Sequence, residues 1–172
     1  MKPVLEGDVS LLCAMSIKTA SDTFAKDNTP KNMALFVEEA YSEGQLLNEL
    51  REESNQFYFA FRDGLVDPVG YLKLCTSSKE LCVTGTRPIE LARIYVDLSS
   101  IGTGVGSHMM QFSLDQAVAG GHDTIWLGVW EHNPRALAFY HHWGFEEVGS
   151  HIFQFGEDPQ NDLILQKSLV LS

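Results

Sequence analysis

Over the first fifty residues apolar side chains recur at helical spacing. Leu11, Leu12 and Met15, with Cys13 beside them, form a stripe behind the N-capping residue Asp8 and predict a helix to about Asp22. Pro30 opens a second helix, in which Met33, Phe36, Val37, Ala40 and Tyr41 fall at i, i+3, i+4, i+7 and i+8. Leu46, Leu47 and Leu50 carry the same pattern on past Gly44.

The period then shortens. Gln56 to Phe61 is aromatic-rich, and Asp63-Gly64 supplies turn residues before Val69 to Leu74, which predicts an antiparallel strand pair. From Cys75 to Pro88 the residues are polar and aperiodic, as in a loop, and Ile89 to Val96 resumes as a strand. Met110, Ser113, Leu114, Ala117 and Val118 keep helical spacing until Gly120-Gly121. A strand from Thr124 to Val129 follows, then a helix with Ala136, Phe139, Tyr140 and Trp143 on one face, ended by Gly144. Two strands close the chain, about Glu146 to Phe155 and Asp162 to Ser168. Helices first, then a meander, then alternating strands and helices predict an α+β fold whose mixed sheet is partly parallel at its centre.

With 172 residues, 44% of them apolar, the chain fits one domain with its own core. Acidic residues outnumber basic ones by 23 to 12, and the net charge of -11 opposes nucleic acid and anionic lipid as partners. The same charge would draw in cationic small molecules, or serve only as a solvating surface. Cys13, Cys75 and Cys82 are odd in number and form no C-x-x-C pair, so neither a disulfide framework nor a thiolate zinc site is expected. The N-terminus lacks an apolar signal core and no run of 18 apolar residues occurs, which predicts a cytoplasmic protein away from membranes.

The sharpest local feature is Ile101-Gly102-Thr103-Gly104-Val105-Gly106-Ser107, between a predicted strand and a predicted helix. Glycines there let a backbone approach a ligand closely, and the free N–H groups of the helix start suit a pyrophosphate. A tight turn would use the same residues. The Rossmann pattern would need glycine where Ser107 stands, and the P-loop ending Gly-Lys-Ser/Thr is absent.

Downstream, Asn133 to Phe145 reads N-x-x-A-x-x-F-Y-x-x-x-G-F, one helix and one strand after the glycine loop. This combination, with Glu90-Leu91-Ala92-Arg93-Ile94-Tyr95-Val96 before the loop, resembles the GNAT acetyltransferases. The likeness is close over Ile89 to Phe145. A weaker one, through Ser21 to Phe24, Ile125 to Glu131 and Asp162 to Leu165, extends to the bacterial PaiA-type spermidine/spermine N-acetyltransferases.

The resemblance implies a mixed sheet of about seven strands with helices on both faces, and acetyl-CoA as co-substrate. It implies that the backbone of Ile94, Tyr95 and Val96 holds the pantetheine arm. Gly102, Thr103, Gly104, Val105, Gly106 and Ser107 would cradle the pyrophosphate, and Asn133 would contact the pantetheine region. Ile101 stands where the family usually has Arg or Gln, so one side-chain contact is lost. Tyr140 aligns with the tyrosine that donates a proton to the departing thiolate.

An attacking amine must first lose a proton, to a base or to a water chain ending at a carboxylate. Glu90 is the candidate: period 2 would place Glu90, Ala92, Ile94 and Val96 on one strand face, towards the cleft. Many family members carry the acid where this chain has Ala92, and Glu90 could instead be an exposed strand acid. Trp130 and Glu131 offer an aromatic face and a carboxylate to a cation, or simply pack. His141 and His142 are adjacent and lack metal-ligand spacing, so no metal is expected. The expected reaction is direct acetyl transfer to a primary amine, polycationic if the PaiA likeness holds, without a covalent acyl-enzyme, since no cysteine has a histidine partner in the motif block. Acetylation of a peptide or a non-catalytic acetyl-CoA sensor are the rivals, and a homodimer is left open.

Overall fold

A computed structural model describes residues 1–169. In chain order the elements are strand β1 (Lys2–Pro3), helices α1 (Val9–Phe24), α2 (Pro30–Tyr41) and α3 (Glu43–Arg51), strands β2 (Asn55–Ala60), β3 (Gly70–Cys75) and β4 (Pro88–Val96). Helix α4 (Val105–Ala119), strand β5 (Thr124–Trp130), helix α5 (Pro134–His142) and strands β6 (Glu146–Phe155) and β7 (Asp158–Ser168) follow. The strands form one seven-stranded sheet in the order β1-β2-β3-β4-β5-β7-β6. Only β4 and β5 run parallel; every other neighbouring pair is antiparallel.

Each face of the sheet buries its own core. Leu72, Leu74, Ile89, Leu91, Ile125, Leu127 and Leu165 pack with Met109, Met110, Leu114 and Ala117 of α4 and with Tyr140 of α5. On the other face Phe57, Phe59, Tyr71 and Phe155 pack with Leu12, Ala20, Met33, Phe36, Tyr41 and Leu46 of the first three helices. Strand alternation explains the division: neighbours such as Phe57 and Tyr58, or Tyr71 and Leu72, go to opposite cores.

The sequence pattern does not predict the short β1, and two further elements differ from expectation. The apolar pattern from Met33 to Leu50 predicts one helix, but the chain breaks at Ser42, whose ψ of 147° is extended. The break turns both Tyr41 and Leu46 towards the sheet. It also frees the Tyr41 carbonyl, which accepts from the Cys13 thiol at 3.0 Å, and Ser42 O becomes the first acceptor of α3, bonded by Leu46 N–H at 3.0 Å. The last strand starts at Asp158 rather than Asp162, because Gly156, at φ +60°, closes a short turn out of β6.

The sheet is incomplete at its centre. Cα partners between β4 and β5 run only from Pro88–Thr124 to Glu90–Trp126, although both strands continue further. Along the rest of β4 the backbone groups that face β5 have no strand partner. Beside the point of parting, β4 carries a bulge: Leu74 is opposite Leu91 and Lys73 is opposite Arg93, which leaves Ala92 unpaired. An extra residue bends a strand and re-aims the side chains beyond it.

Candidate functional site

The parting of β4 and β5 opens into a cavity of about 810 Å³ that passes through the sheet from one core face to the other. On the α4/α5 side its wall includes Gly102, Gly104, Gly106, Ser107, Asn133, Phe139 and Tyr140. On the opposite side it includes Phe24, Phe36, Glu90, Phe153, Phe155 and Asp162. A ligand held in the first half would be approached by a second one only through the gap in the sheet.

The glycine loop is built for close approach. Gly102 and Gly104 have φ of +78° and +89°, which favours glycine, and a Cβ at either position would meet no neighbour within 4 Å. The backbone there faces open space. Helix α4 makes its first hydrogen bond from His108 N–H to Gly104 O at 3.0 Å, so the amides of Val105, Gly106 and Ser107 have no acceptor inside the helix. Those N–H groups and the positive end of the helix dipole suit an anion. Thr103 spends its hydroxyl locally, on Ser100 O at 2.7 Å. Ile94, Tyr95 and Val96 line the cavity on the stretch of β4 that has parted from β5, and Ile101 of the glycine loop lines it too.

On α5, Asn133 is the N-cap, accepting from Ala136 N–H at 3.2 Å, and it also lines the cavity. Tyr140 lies about two turns further along the same face of α5 and is 9% exposed. Burial pushes its phenol well above the usual range, so it stays protonated. Among the described residues no side chain hydrogen-bonds to its hydroxyl, which is free for a ligand. His141 bonds the Phe145 carbonyl through Nδ1 at 3.1 Å and His142 is exposed. Among the described residues no cluster of three or more His, Cys, Asp or Glu could hold a metal ion.

Glu90 lines the cavity, but not on the expected face. Ile89 and Leu91 pack into the α4/α5 core, and so do Ile94 and Val96, so Glu90 lies opposite them. The bulge at Ala92 is the reason: it inserts one residue and inverts the alternation that strict period 2 assumes. Glu90 therefore shares the α1/α2 face with Arg93. Burial raises its pKa above the usual carboxylate range, against the opposing influence of Ser78, Lys73, His151 and Arg93.

Trp130 lines the cavity, whereas Glu131 stands outside its wall and accepts from Asn161 Nδ2 at 3.2 Å. The carboxylate in the cavity beside Trp130 is Asp162, directly across from it in the β5/β7 register. Its pKa is pushed up to about 6, mainly by burial, with His151 lowering it and Glu131 raising it. Sequence reasoning passed over Asp162; only its position on a strand facing the parted pair identifies it.

Sequence reasoning also missed an ion cluster in the wall. Glu49 accepts from Arg93 through both oxygens, at 2.7 and 3.0 Å, and from Lys73 at 2.9 Å. Arg93 also sits over the Tyr41 ring, 5.1 Å from its centroid. Burial alone would raise the Glu49 pKa, but Arg93 and Lys73 outweigh it and hold it below the usual carboxylate range. One acid thus serves two cations that line the cavity, leaving Glu90 and Asp162 to meet a cationic ligand.

Comparison with known proteins places these features. The family model described as "Acetyltransferase (GNAT) family" matches residues 20–145. An uncharacterized N-acetyltransferase encoded in the pepI 3' region of Lactobacillus delbrueckii subsp. lactis is 36% identical, covering 97% of this chain and 95% of the relative. Among solved structures, the PaiA N-acetyltransferase of Thermoplasma acidophilum in complex with coenzyme A superposes with a TM-score of 0.72 at 19% identity, covering 96% of this chain and 95% of the other. The ribosomal-protein-S18-alanine N-acetyltransferase of Escherichia coli superposes at 0.69 with 17% identity, covering 99% and 94%. At such identities the two structures speak for the fold alone.

Proposed function

The chain belongs to the GNAT family and is an N-acetyltransferase, and on that premise we propose that it moves the acetyl group of acetyl-CoA to a primary amine of a polyamine-like polycation. The observation that carries the acceptor class is the pair of acids, Glu90 and Asp162, set with the Trp130 ring in the half of the cavity away from the glycine loop. Two carboxylates and an aromatic face favour a cation.

The protein's own groups fit acetyl-CoA. The amides of Val105, Gly106 and Ser107 would take its pyrophosphate, and the edge of Ile94, Tyr95 and Val96 left open by β5 would take the pantetheine arm as an added strand would. Asn133 adds a polar contact beside that arm. Bound there, acetyl-CoA supplies an activated acetyl group as a thioester. Strand β4 offers backbone N–H groups to the carbonyl oxygen as negative charge develops on it. Tyr140 offers its hydroxyl hydrogen to the sulfur as the C–S bond breaks. From the other face, a carboxylate of the acid pair removes a proton from the acceptor ammonium, freeing the lone pair that attacks.

A peptide acceptor is the alternative, since the fold is shared with an acetyltransferase named for a ribosomal protein's alanine. The test is coenzyme A release with spermidine, spermine, diamines, aminoglycosides and peptides under saturating acetyl-CoA. Turnover concentrated on the polyamines is the expected result. Rapid turnover of peptides with inert polyamines would replace this acceptor class, and acetyl-CoA binding without any amine-dependent thiol would leave a sensor.

A further inference from the structure

Asp162, His151 and Glu80 come from three different segments and meet at one edge of the cavity. Asp162 on β7 and His151 on β6 are direct register partners, so their side chains share a face. Trp130 is the partner of Asp162 on its other side. His151 Nδ1 lies 2.6 Å from Glu80 Oε1, in the loop between β3 and β4. A carboxylate at that distance accepts the Nδ1 hydrogen and leaves Nε2 for the opposite direction. That direction is the cavity: the space beside the Gly128 backbone, where a Cβ would stand, lies 3.8 Å from His151 Nε2 and 3.7 Å from Asp162 Oδ2. Gly128 itself lines the cavity.

We propose that Asp162 takes the proton from the acceptor ammonium and that His151, oriented by Glu80, carries it from Asp162 to solvent. This deepens the acetyl-transfer reading and rests on it. An ammonium loses two protons on becoming an amide; one replaces the hydrogen that Tyr140 gives to the coenzyme's sulfur, and the other takes this path. In the first step an ammonium N–H bond breaks, its electron pair stays on nitrogen and the proton joins an Asp162 oxygen. In the second step Asp162 returns to carboxylate by giving its proton to a bridging water, which gives one of its own to His151 Nε2. The imidazolium, with Glu80 against its Nδ1–H, then releases the Nε2 proton to water; His151 is about one-third exposed and can do so.

The remaining charges support this division of labour. Glu90 faces the same space from β4, but there the cations Lys73 and Arg93 and the Ser78 hydroxyl act on it as well as His151. Its role is to bind the cation. Glu131, outside the wall, and His151 act on Asp162 in opposite directions. Among the described residues none donates a hydrogen bond to Asp162, so its oxygens are open to an ammonium.

The test uses the full chain with Asp162→Asn, His151→Gln, Glu80→Gln and Glu90→Gln. Carboxyl carbon NMR of the protein without substrates should show Asp162 titrating near pH 6, and His151→Gln should move that midpoint upwards, because the side chain that lowers it has been removed. On the best amine from the acceptor screen, Asp162→Asn should lose about 10²–10⁴ in kcat. His151→Gln and Glu80→Gln should lose less and should shift the acid limb of the kcat/KM profile, and added imidazole should restore part of the His151→Gln loss. Glu90→Gln should mainly raise KM. An Asp162 midpoint unmoved by His151→Gln, or near-normal kcat in Asp162→Asn, overturns the relay. If no amine is acetylated, the function proposed above fails on its own, while the carboxyl titration still decides whether Asp162 and His151 are linked.

Discussion

In the proposed reaction Tyr140 would have to hold its proton until sulfur departs, and its surroundings favour that. Burial keeps the phenol neutral, while Phe139 and Phe145, with ring centroids at 5.6 and 5.9 Å, fix its orientation. Tyr140→Phe keeps those contacts and removes only the donor, so kcat should fall about 10²–10⁴ while acetyl-CoA affinity and Tm stay nearly constant. Steady-state kinetics beside calorimetry checks this, and a near-normal kcat where chemistry limits turnover removes the role. Glu49 makes a different demand, because it compensates Arg93 and Lys73 away from water. Glu49→Gln leaves two cations without an anion and should cost about 3–5 kcal/mol in urea unfolding. Because the folded-state pKa of Glu49 is depressed, its contribution is present above the ordinary carboxylate range and is lost as pH falls through the folded value. The wild-type and Glu49→Gln stabilities should therefore converge on acidification.

At the scale of elements, the glycine loop has a conformational requirement that can be tested apart from its sequence. Gly104, at φ +89°, is the residue before α4 and faces open space, so Gly104→Asp adds backbone strain and a negative charge where an anion is to bind. Acetyl-CoA affinity should fall at least 100-fold, about 3 kcal/mol, with the fold retained; unchanged binding by calorimetry in a folded variant would separate the loop from the coenzyme. This loop was legible because its signal is local: glycines at a strand-to-helix junction. The strands and helices were equally legible from their periods, as with Phe57 to Ala60 or Met110 to Ala117. The bulge at Ala92 was not, since nothing in Leu91-Ala92-Arg93 distinguishes an unpaired residue from a paired one, and the face of Glu90 was misread with it. Asp162 and Glu49 were illegible for a related reason. Each resembles a solvent-facing acid until the sheet order brings β7 beside β5, or α3 against β3 and β4.

Across the whole molecule, the parted sheet would, in the proposed reaction, separate two ligands of opposite charge, and the net charge of -11 would act on both. Acetyl-CoA is an anion that would have to approach a strongly acidic protein, and the local field of the α4 N-terminus with its free amides, and Arg135 in the cavity wall, favour it. A polyamine, the proposed acceptor, would be attracted by the protein as a whole and then by Glu90 and Asp162 inside the cavity. Salt should therefore move the two Michaelis constants in opposite directions. Raising ionic strength from 0.1 to 1 M shortens the Debye length from about 10 Å to about 3 Å, which removes long-range steering and leaves contact interactions largely in place. The KM for spermidine should rise about tenfold or more, within the range by which steering alters encounter rates. The KM for acetyl-CoA should stay level or fall as the general repulsion is screened. Initial rates at several salt concentrations, varying each substrate with the other saturating, separate the two trends. If the spermidine KM proves flat with salt, the acidic surface is only solvating, and recognition of the acceptor must come from the carboxylates and the Trp130 ring at contact distance.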